Sequence, residues 1–136
     1  KLDKEIKIVE QIGTGLVALI ENGKLDSEEM TQLLQHYLMP MVSENIDCLV
    51  LGCTHYPYLI PQIRKIIGPK IHIIDSGQAV AKQTKKVLSE AGLLKTIQTK
   101  NKRSHQFLIN RDKNTLTELL ADCEKEKSLI LLETDF

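Results

Sequence analysis

Leu49-Val50-Leu51-Gly52-Cys53-Thr54-His55-Tyr56-Pro57 is the stretch whose reading decides the fold. From Ile46 to Leu51 the chain is apolar apart from Asp47, and it is short and rich in Ile, Leu and Val. That pattern predicts a strand covered on both faces, as in a parallel sheet. Gly52 permits a tight exit. Pro57 suits the first turn of a helix, and Leu59, Ile60, Ile63, Ile66 and Ile67 then recur at helical spacing. Cys53, Thr54 and His55 are therefore expected at the carboxyl end of a strand, just before a helix. In open α/β sheets ligands bind at that edge. Backbone N–H groups and the helix dipole favour anions there, a thiolate included. His55 stands two residues from Cys53, close enough to relay a proton. A buried cysteine by itself is more often inert packing; three chemically active side chains in a row at this position point to a working site.

With 136 residues, 42% of them hydrophobic and 26% charged, the chain can build one ordinary core. Formal net charge is zero and no element concentrates the basic residues, which argues against nucleic acid as a partner. No apolar run approaches the roughly 20 residues of a membrane span. Lys1-Leu2-Asp3-Lys4-Glu5 has no apolar core after its charges, so a signal peptide is not expected. Cys48, Cys53 and Cys123 are an odd number without framework spacing, read as reduced thiols in a cytoplasmic protein.

Working outward, Ile6–Ile12 alternates in part and predicts a strand, and Gly13-Thr14-Gly15 a turn. Leu16–Glu21 predicts a short helix ended by Asn22-Gly23. Asp26 or Ser27 can cap the next helix, with Asp26 and Glu29 in approximate capping-box spacing. Met30, Leu33, Leu34, Tyr37, Leu38 and Met41 form its apolar stripe, and Pro40 is expected to end or bend it. After Gly68-Pro69, Ile71–Ile74 predicts a second buried strand. Asp75-Ser76 follows at a strand end, expected on the same edge as Cys53, where capping the next helix is its simplest role. That helix has Val80, Thr84, Val87, Leu88 and Ala91 on one face, Lys82, Lys85 and Lys86 on the other, and Gly92 as its stop. Residues 95–105 read as a basic surface loop, Phe107–Ile109 as a strand, and Asp112 as the cap of a last helix with Leu116, Leu119 and Leu120. Leu129–Leu132 is apolar, and its pattern assigns it to no element. Strands alternating with helices imply an α/β fold with a mostly parallel sheet flanked by helices.

Competing chemistries fit less well. Gly13-Thr14-Gly15-Leu16-Val17-Ala18 matches a dinucleotide fingerprint in letters, but the acid expected at the end of the next strand is absent: that strand ends in Gly52-Cys53. Cys53 and His55 have C-x-H spacing, yet a zinc site needs three or four ligands, and the remaining His and Cys are scattered. Leu59 stands where a cysteine phosphatase needs arginine, and no Cys-x-x-Cys pair exists. A Cys–His hydrolase stays open, without an identifiable Asn or Asp to orient the histidine.

The Leu49–Pro57 string resembles the second catalytic-cysteine motif of bacterial glutamate racemases, in the cofactor-independent aspartate/glutamate racemase superfamily. Leu16–Gly23, Tyr37-Leu38 and Ile74-Asp75-Ser76 resemble neighbouring family segments, so the likeness covers residues 6 to 92 well. Thr14-Gly15 stands where the family usually has Cys-Pro, read as a local difference in the turn. The family's N-terminal Asp-Ser, Tyr-Gly and Cys-Asn-Thr motifs do not occur, so the chain is expected to be a C-terminal portion of a two-domain racemase. Residues 1–77 would belong to the second domain and 78–136 would return to the first.

The resemblance implies interconversion of L- and D-glutamate for peptidoglycan by two cysteines, one on each face of the α-carbon. Cys53 would be one of them, Thr54 and His55 would touch substrate, and His55 would also assist Cys53. No pyridoxal phosphate, other cofactor or metal is implied, and this chain alone should be inactive. The parent enzyme has room for a homodimeric state. An aspartate or hydantoin racemase, and a non-catalytic α/β module binding an anion or a partner, are the alternatives.

Overall fold

A computed structural model describes residues 6–94, 104–110, 113–124 and 128–133. They divide into two compact units, Lys1–Gly77 and Gln78–Phe136. Of the basic loop read at 95–105, residues 95–103 lie outside the described residues, as does the proposed cap Asp112, while Ser104 and His105 belong not to a loop but to a strand that starts at Ser104.

In the first unit, α1 (Leu16–Glu21) and α2 (Glu28–Ser43) precede β1 (Cys48–Val50). A 3-10 turn (Tyr56–Leu59), α3 (Ile60–Ile67) and β2 (His72–Ile74) follow. β1 and β2 pair in parallel, with Cys48 opposite His72 and Val50 opposite Ile74. The ladder reaches one residue further at each end through His72 N–H to Asp47 O and Leu51 N–H to Ile74 O, both 2.9 Å. Leu16, Leu19 and Ile20 of α1, Met30, Leu34 and Leu38 of α2, and Leu59, Ile63 and Ile67 around α3 meet Leu49 and Leu51 in the core. Each full burial of such a side chain contributes about 1.5–3 kcal/mol.

Several local expectations are met and others corrected. Ser27, not Asp26, caps α2: its Oγ accepts the Met30 N–H at 3.1 Å. Asp26 instead takes the Gln62 amide at 2.7 Å, joining α2's entrance to α3. Glu29 pairs with Lys24 at 3.3 Å rather than completing a capping box. Pro40 does not end α2, which runs on to Ser43. Only one turn remains beyond it, so a single hydrogen bond is forfeited. The helix opened by Pro57 comes in two pieces, because Pro61 has no N–H to continue the ladder and α3 restarts there. The left-handed Gly68 (φ 74°) closes α3, and Arg64 ties that end to β2 through Gly68 O and Ile71 O at 2.8 and 2.7 Å.

Two strand expectations fail more instructively. Ile6–Ile12 forms no strand; it runs without helix, turn or bend up to Gly13 and pairs with no strand among the described residues. The sheet is not covered on both faces either: Leu49 is 5% exposed, but Val50 and Ile74 are 67% and 51% exposed. Helices of this unit reach one face only.

In the second unit, α4 (Gly77–Glu90) is a helix without a buried residue. Val80, Val87 and Leu88 on its apolar face are exposed, and Gly92 (φ 66°) follows its end. β3 (Ser104–Ile109), α5 (Lys113–Glu124) and β4 (Ser128–Glu133) make a βαβ unit with parallel strands. The apolar tail that the sequence could not assign is β4, paired along β3 from Ser104↔Ser128 to Ile109↔Glu133.

Ser27→Ala should lower the stability of the first unit by about 1 kcal/mol, the usual worth of an N-cap. Denaturant unfolding followed by circular dichroism would measure it.

Candidate active site

β1 ends at Val50, and Leu51-Gly52 lead to a bend at Cys53 and a turn at Thr54-His55. The turn closes through Tyr56 N–H to Cys53 O at 3.2 Å. Cys53 and His55 are half-buried and Thr54 is exposed, so all three sit at the carboxyl rim, open to a ligand. Because β1 and β2 run in parallel register, Asp75 leaves the sheet at that same rim. There its Oδ1 accepts the Gly77 N–H at 2.8 Å, a bond at the start of α4. The capping role read from the sequence is thus occupied.

Cys53 and His55 face each other, with Sγ 3.9 Å from Nδ1. On the other side of the ring, His55 Nε2 lies 3.4 Å from Glu21 Oε1. The result is a line of carboxylate, imidazole and thiol. A proton held on Nε2 by the carboxylate leaves Nδ1 as an acceptor facing sulfur. Protonating both nitrogens gives an imidazolium between two anions. Either form places a proton-exchanging ring beside the thiol. Glu21 was missed in the sequence. Its signal was its place as the last residue of α1, where the helix dipole disfavours an anion. Such a carboxylate does little for its own helix.

Tyr56, next in the motif, reaches back to a distant turn. Its hydroxyl donates to Gly13 O at 3.3 Å, while Tyr37 donates to Thr14 O at 2.8 Å. Two tyrosines from two elements therefore hold consecutive carbonyls of the Gly13-Thr14-Gly15 turn. Gly13 has no spare room: a Cβ there would lie 2.5 Å from the Tyr56 hydroxyl and 2.6 Å from Leu16 Cδ1. Gly15 takes a left-handed conformation (φ 87°) at the N-cap of α1. Burial pushes the Tyr56 hydroxyl above its ordinary value of 10.0, and negative charge on Cys53 and then Tyr37 pushes it the same way. Among the described residues, no three His, Cys, Asp or Glu side chains gather to hold a metal ion. No described helix is long and apolar enough to cross a membrane.

No family model matches the chain. Curated proteins do. A glutamate racemase of Pseudomonas syringae pv. tomato is 44% identical over 90 residues, which is 66% of this chain and 33% of that protein. One of Ralstonia pickettii is 47% identical over 89 residues, 65% of this chain and 32% of its own length. The chain is similar to one portion of the glutamate racemases. It spans about a third of the length of these relatives. Among solved racemases, one from Bacillus anthracis superposes with a TM-score of 0.75 at 27% identity, covering 99% of this chain and 49% of that one. The Francisella tularensis glutamate racemase, solved in complex with D-glutamate, gives 0.65 at 25% identity over 88% and 44% of the two chains. The α/β racemase fold inferred from the Cys-Thr-His string is thus found in the structure.

The raised Tyr56 value has a signed consequence. The native state prefers the neutral phenol, so the stability linked to it is fully present below pH 10 and is lost as pH rises through the higher native value. Tyr56→Phe should flatten that alkaline loss while leaving stability near pH 7 within about 1.5 kcal/mol, the worth of one hydrogen bond. Thermal melts from pH 8 to 11.5 would show it.

Proposed function

We propose that this chain supplies one of the two proton-transferring cysteines of a cofactor-independent glutamate racemase. The line Glu21–His55–Cys53 at the carboxyl rim of β1 is the observation that carries the reading. Inverting an α-carbon by proton exchange requires an acid/base on each face of a planar carbanion. Cys53 serves one face, as thiolate base in one direction and thiol acid in the other. His55 takes and returns the proton through Nδ1, and Glu21 keeps the ring turned towards sulfur. Thr54, exposed beside them, contacts the substrate. Positioned N–H and hydroxyl donors stabilise the carbanion. Glutamate is favoured over aspartate or hydantoin because the relatives are named for it and one solved neighbour is described with D-glutamate. The product would feed peptidoglycan in the cytoplasm.

In this reading residues 1–77 are part of the domain that carries the second cysteine. Residues 78–136 return to the domain that carries the first. The mate of Cys53 comes from outside the chain, so the 136-residue protein alone should show no racemisation of L- or D-glutamate by circular dichroism. The positive test is a chimera in which this chain's matched segment replaces its counterpart in the Pseudomonas syringae racemase. Glutamate turnover by the chimera is expected. Cys53→Ser in it should cut kcat by about 10²- to 10⁴-fold, the usual span of a general acid–base group. Glu21→Gln should lower kcat by less, because the imidazole keeps its place while its orientation towards sulfur loosens. Near-normal turnover with Cys53→Ser, or an aspartate-only chimera, would overturn the assignment.

A further inference from the structure

Cys53 Sγ lies 3.9 Å from His55 Nδ1, and His55 Nε2 lies 3.4 Å from Glu21 Oε1. A nucleophile, a base within reach of it and a third group orienting that base form the general pattern of covalent acyl transfer. The contact between nucleophile and base is often loose before substrate arrives. Along the sequence no Asn or Asp could be picked out to orient the histidine of a Cys–His hydrolase. In the structure Glu21, the last residue of α1, stands in that place. The order along the ring fits as well. With a proton held on Nε2 by the carboxylate, Nδ1 is the acceptor that faces the thiol.

The surroundings of the sulfur suit attack on a carbonyl group. Cys53 and His55 are half-buried and Thr54 is exposed, so a small molecule can reach the sulfur. The N–H groups of Cys53, Thr54 and His55 enter none of the backbone hydrogen bonds of the described residues. Three donors are therefore uncommitted next to the nucleophile, and an oxyanion is stabilised by donors of that kind. Cys48 is a free thiol too, but it sits inside β1, and no hydrogen bond joins it to a base among the described residues. Nothing in the Glu21–His55–Cys53 line calls for a second cysteine. Proton exchange at an α-carbon needs a group on each face, whereas attack on a carbonyl carbon needs one sulfur.

We propose that Cys53 is also an acyl-accepting nucleophile, and that this chain by itself forms and hydrolyses a thioester with small activated acyl donors such as aryl esters. His55 Nδ1 takes the Cys53 thiol proton while Sγ bonds to the ester carbonyl carbon. The carbonyl oxygen carries the negative charge against the rim N–H groups. The adduct collapses, the bond from carbon to the aryl oxygen breaks, and the phenol leaves with the proton from His55. Water then gives a proton to His55 Nδ1 and attacks the thioester carbon. The C–S bond breaks, and the thiolate regains the proton from His55. Ester and water become carboxylic acid and phenol, with nothing oxidised or reduced. Cys53 and His55 are the catalytic residues of this reaction, and Glu21 is a positioning residue that keeps Nδ1 towards sulfur. This activity goes beyond the racemase reading and does not depend on it.

The test treats the full 136-residue chain with p-nitrophenyl acetate at neutral pH, without added thiol. Absorbance follows p-nitrophenolate, and mass spectrometry with peptide mapping locates the acetyl group. A burst of one acetyl per chain is expected on Cys53, followed by slower steady release as the thioester hydrolyses. The burst should be at least about tenfold faster than acetylation of N-acetylcysteine, a modest share of what a positioned base contributes. Cys53→Ser should lose the burst and Cys48→Ser should keep it. His55→Ala should bring the rate down to that of N-acetylcysteine. Glu21→Ala should slow the burst, and Glu21→Gln, which keeps an oxygen for the ring, should recover part of the loss. Where a variant fails to fold, the unaltered chain decides, native against urea-unfolded. Acetyl found elsewhere with Cys53 bare would overturn the proposal. So would a native rate no faster than that of N-acetylcysteine or of the unfolded chain, or a rate indifferent to His55→Ala. An acetyl that never leaves Cys53 would overturn the hydrolysis, and an unchanged rate in Glu21→Ala would overturn the role of Glu21. Glutamate turnover by the chimera without acylation of this chain removes the acyl chemistry and keeps the racemase; acylation with an inactive chimera does the reverse.

Discussion

Leu49 and Leu51 are buried against α1, α2 and α3, and almost everything at the site follows from that. Side chains on a strand alternate with a period of two, so fixing these two fixes the face, register and exit direction of β1. The chain must then leave the sheet at Gly52 with Cys53 on the rim. Pairing with β2 in parallel brings Asp75 to the same rim. A slip of one residue would bury Val50 and Cys48 instead and turn the reactive loop away from α1.

That loop is held less by its own turn than by what lies far from it in sequence. Tyr56 grips the Gly13 carbonyl and Tyr37 the Thr14 carbonyl. The start of α1 is thereby set beside the cysteine loop, and Glu21, one short helix later, meets the far side of the His55 ring. The carboxylate is partly exposed, so its pairing with His55 adds little to stability. Its value lies in orientation: an imidazole bonded at one nitrogen presents the other in a defined direction. A Cβ at Gly13 would have to displace the Tyr56 hydroxyl and a Leu16 methyl, which is the cost of bringing the turn this close.

Parallel sheets are ordinarily sheltered on both faces and along their inner edges. Here the first unit covers one face with helices and leaves Val50 and Ile74 open on the other. Among the described residues, β1 also has a strand on one edge only. The second unit shows the same economy, with α4 burying none of its side chains.

Much of this was legible in the sequence. A strand before Gly52, the proline-led helical turn, the apolar stripe of α2 and the rim position of Cys53, Thr54 and His55 all follow from local patterns that physics reads over a few residues, whereas the cover expected on both faces of that strand is met on one face only. The Cys-Thr-His-Tyr-Pro string also pointed to the racemases, and the comparisons agree. Other features depend on partners remote in the chain. Alternation in Ile6–Ile12 announced a strand, but a strand exists only when a neighbour takes its hydrogen bonds, and among the described residues none does. Pro61 split a helix that hydrophobic spacing drew as continuous. Leu129–Leu132 became a strand because β3 lies beside it, a pairing that no local pattern states. Glu21 entered the site because two tyrosines dock one turn on another. The sequence by itself determined which segments are apolar, where they break and which side chains can move a proton; the tertiary structure alone decided which edges are met and which carboxylate faces the histidine, because hydrogen bonds and ion pairs between distant segments depend on their separation in space, not along the chain.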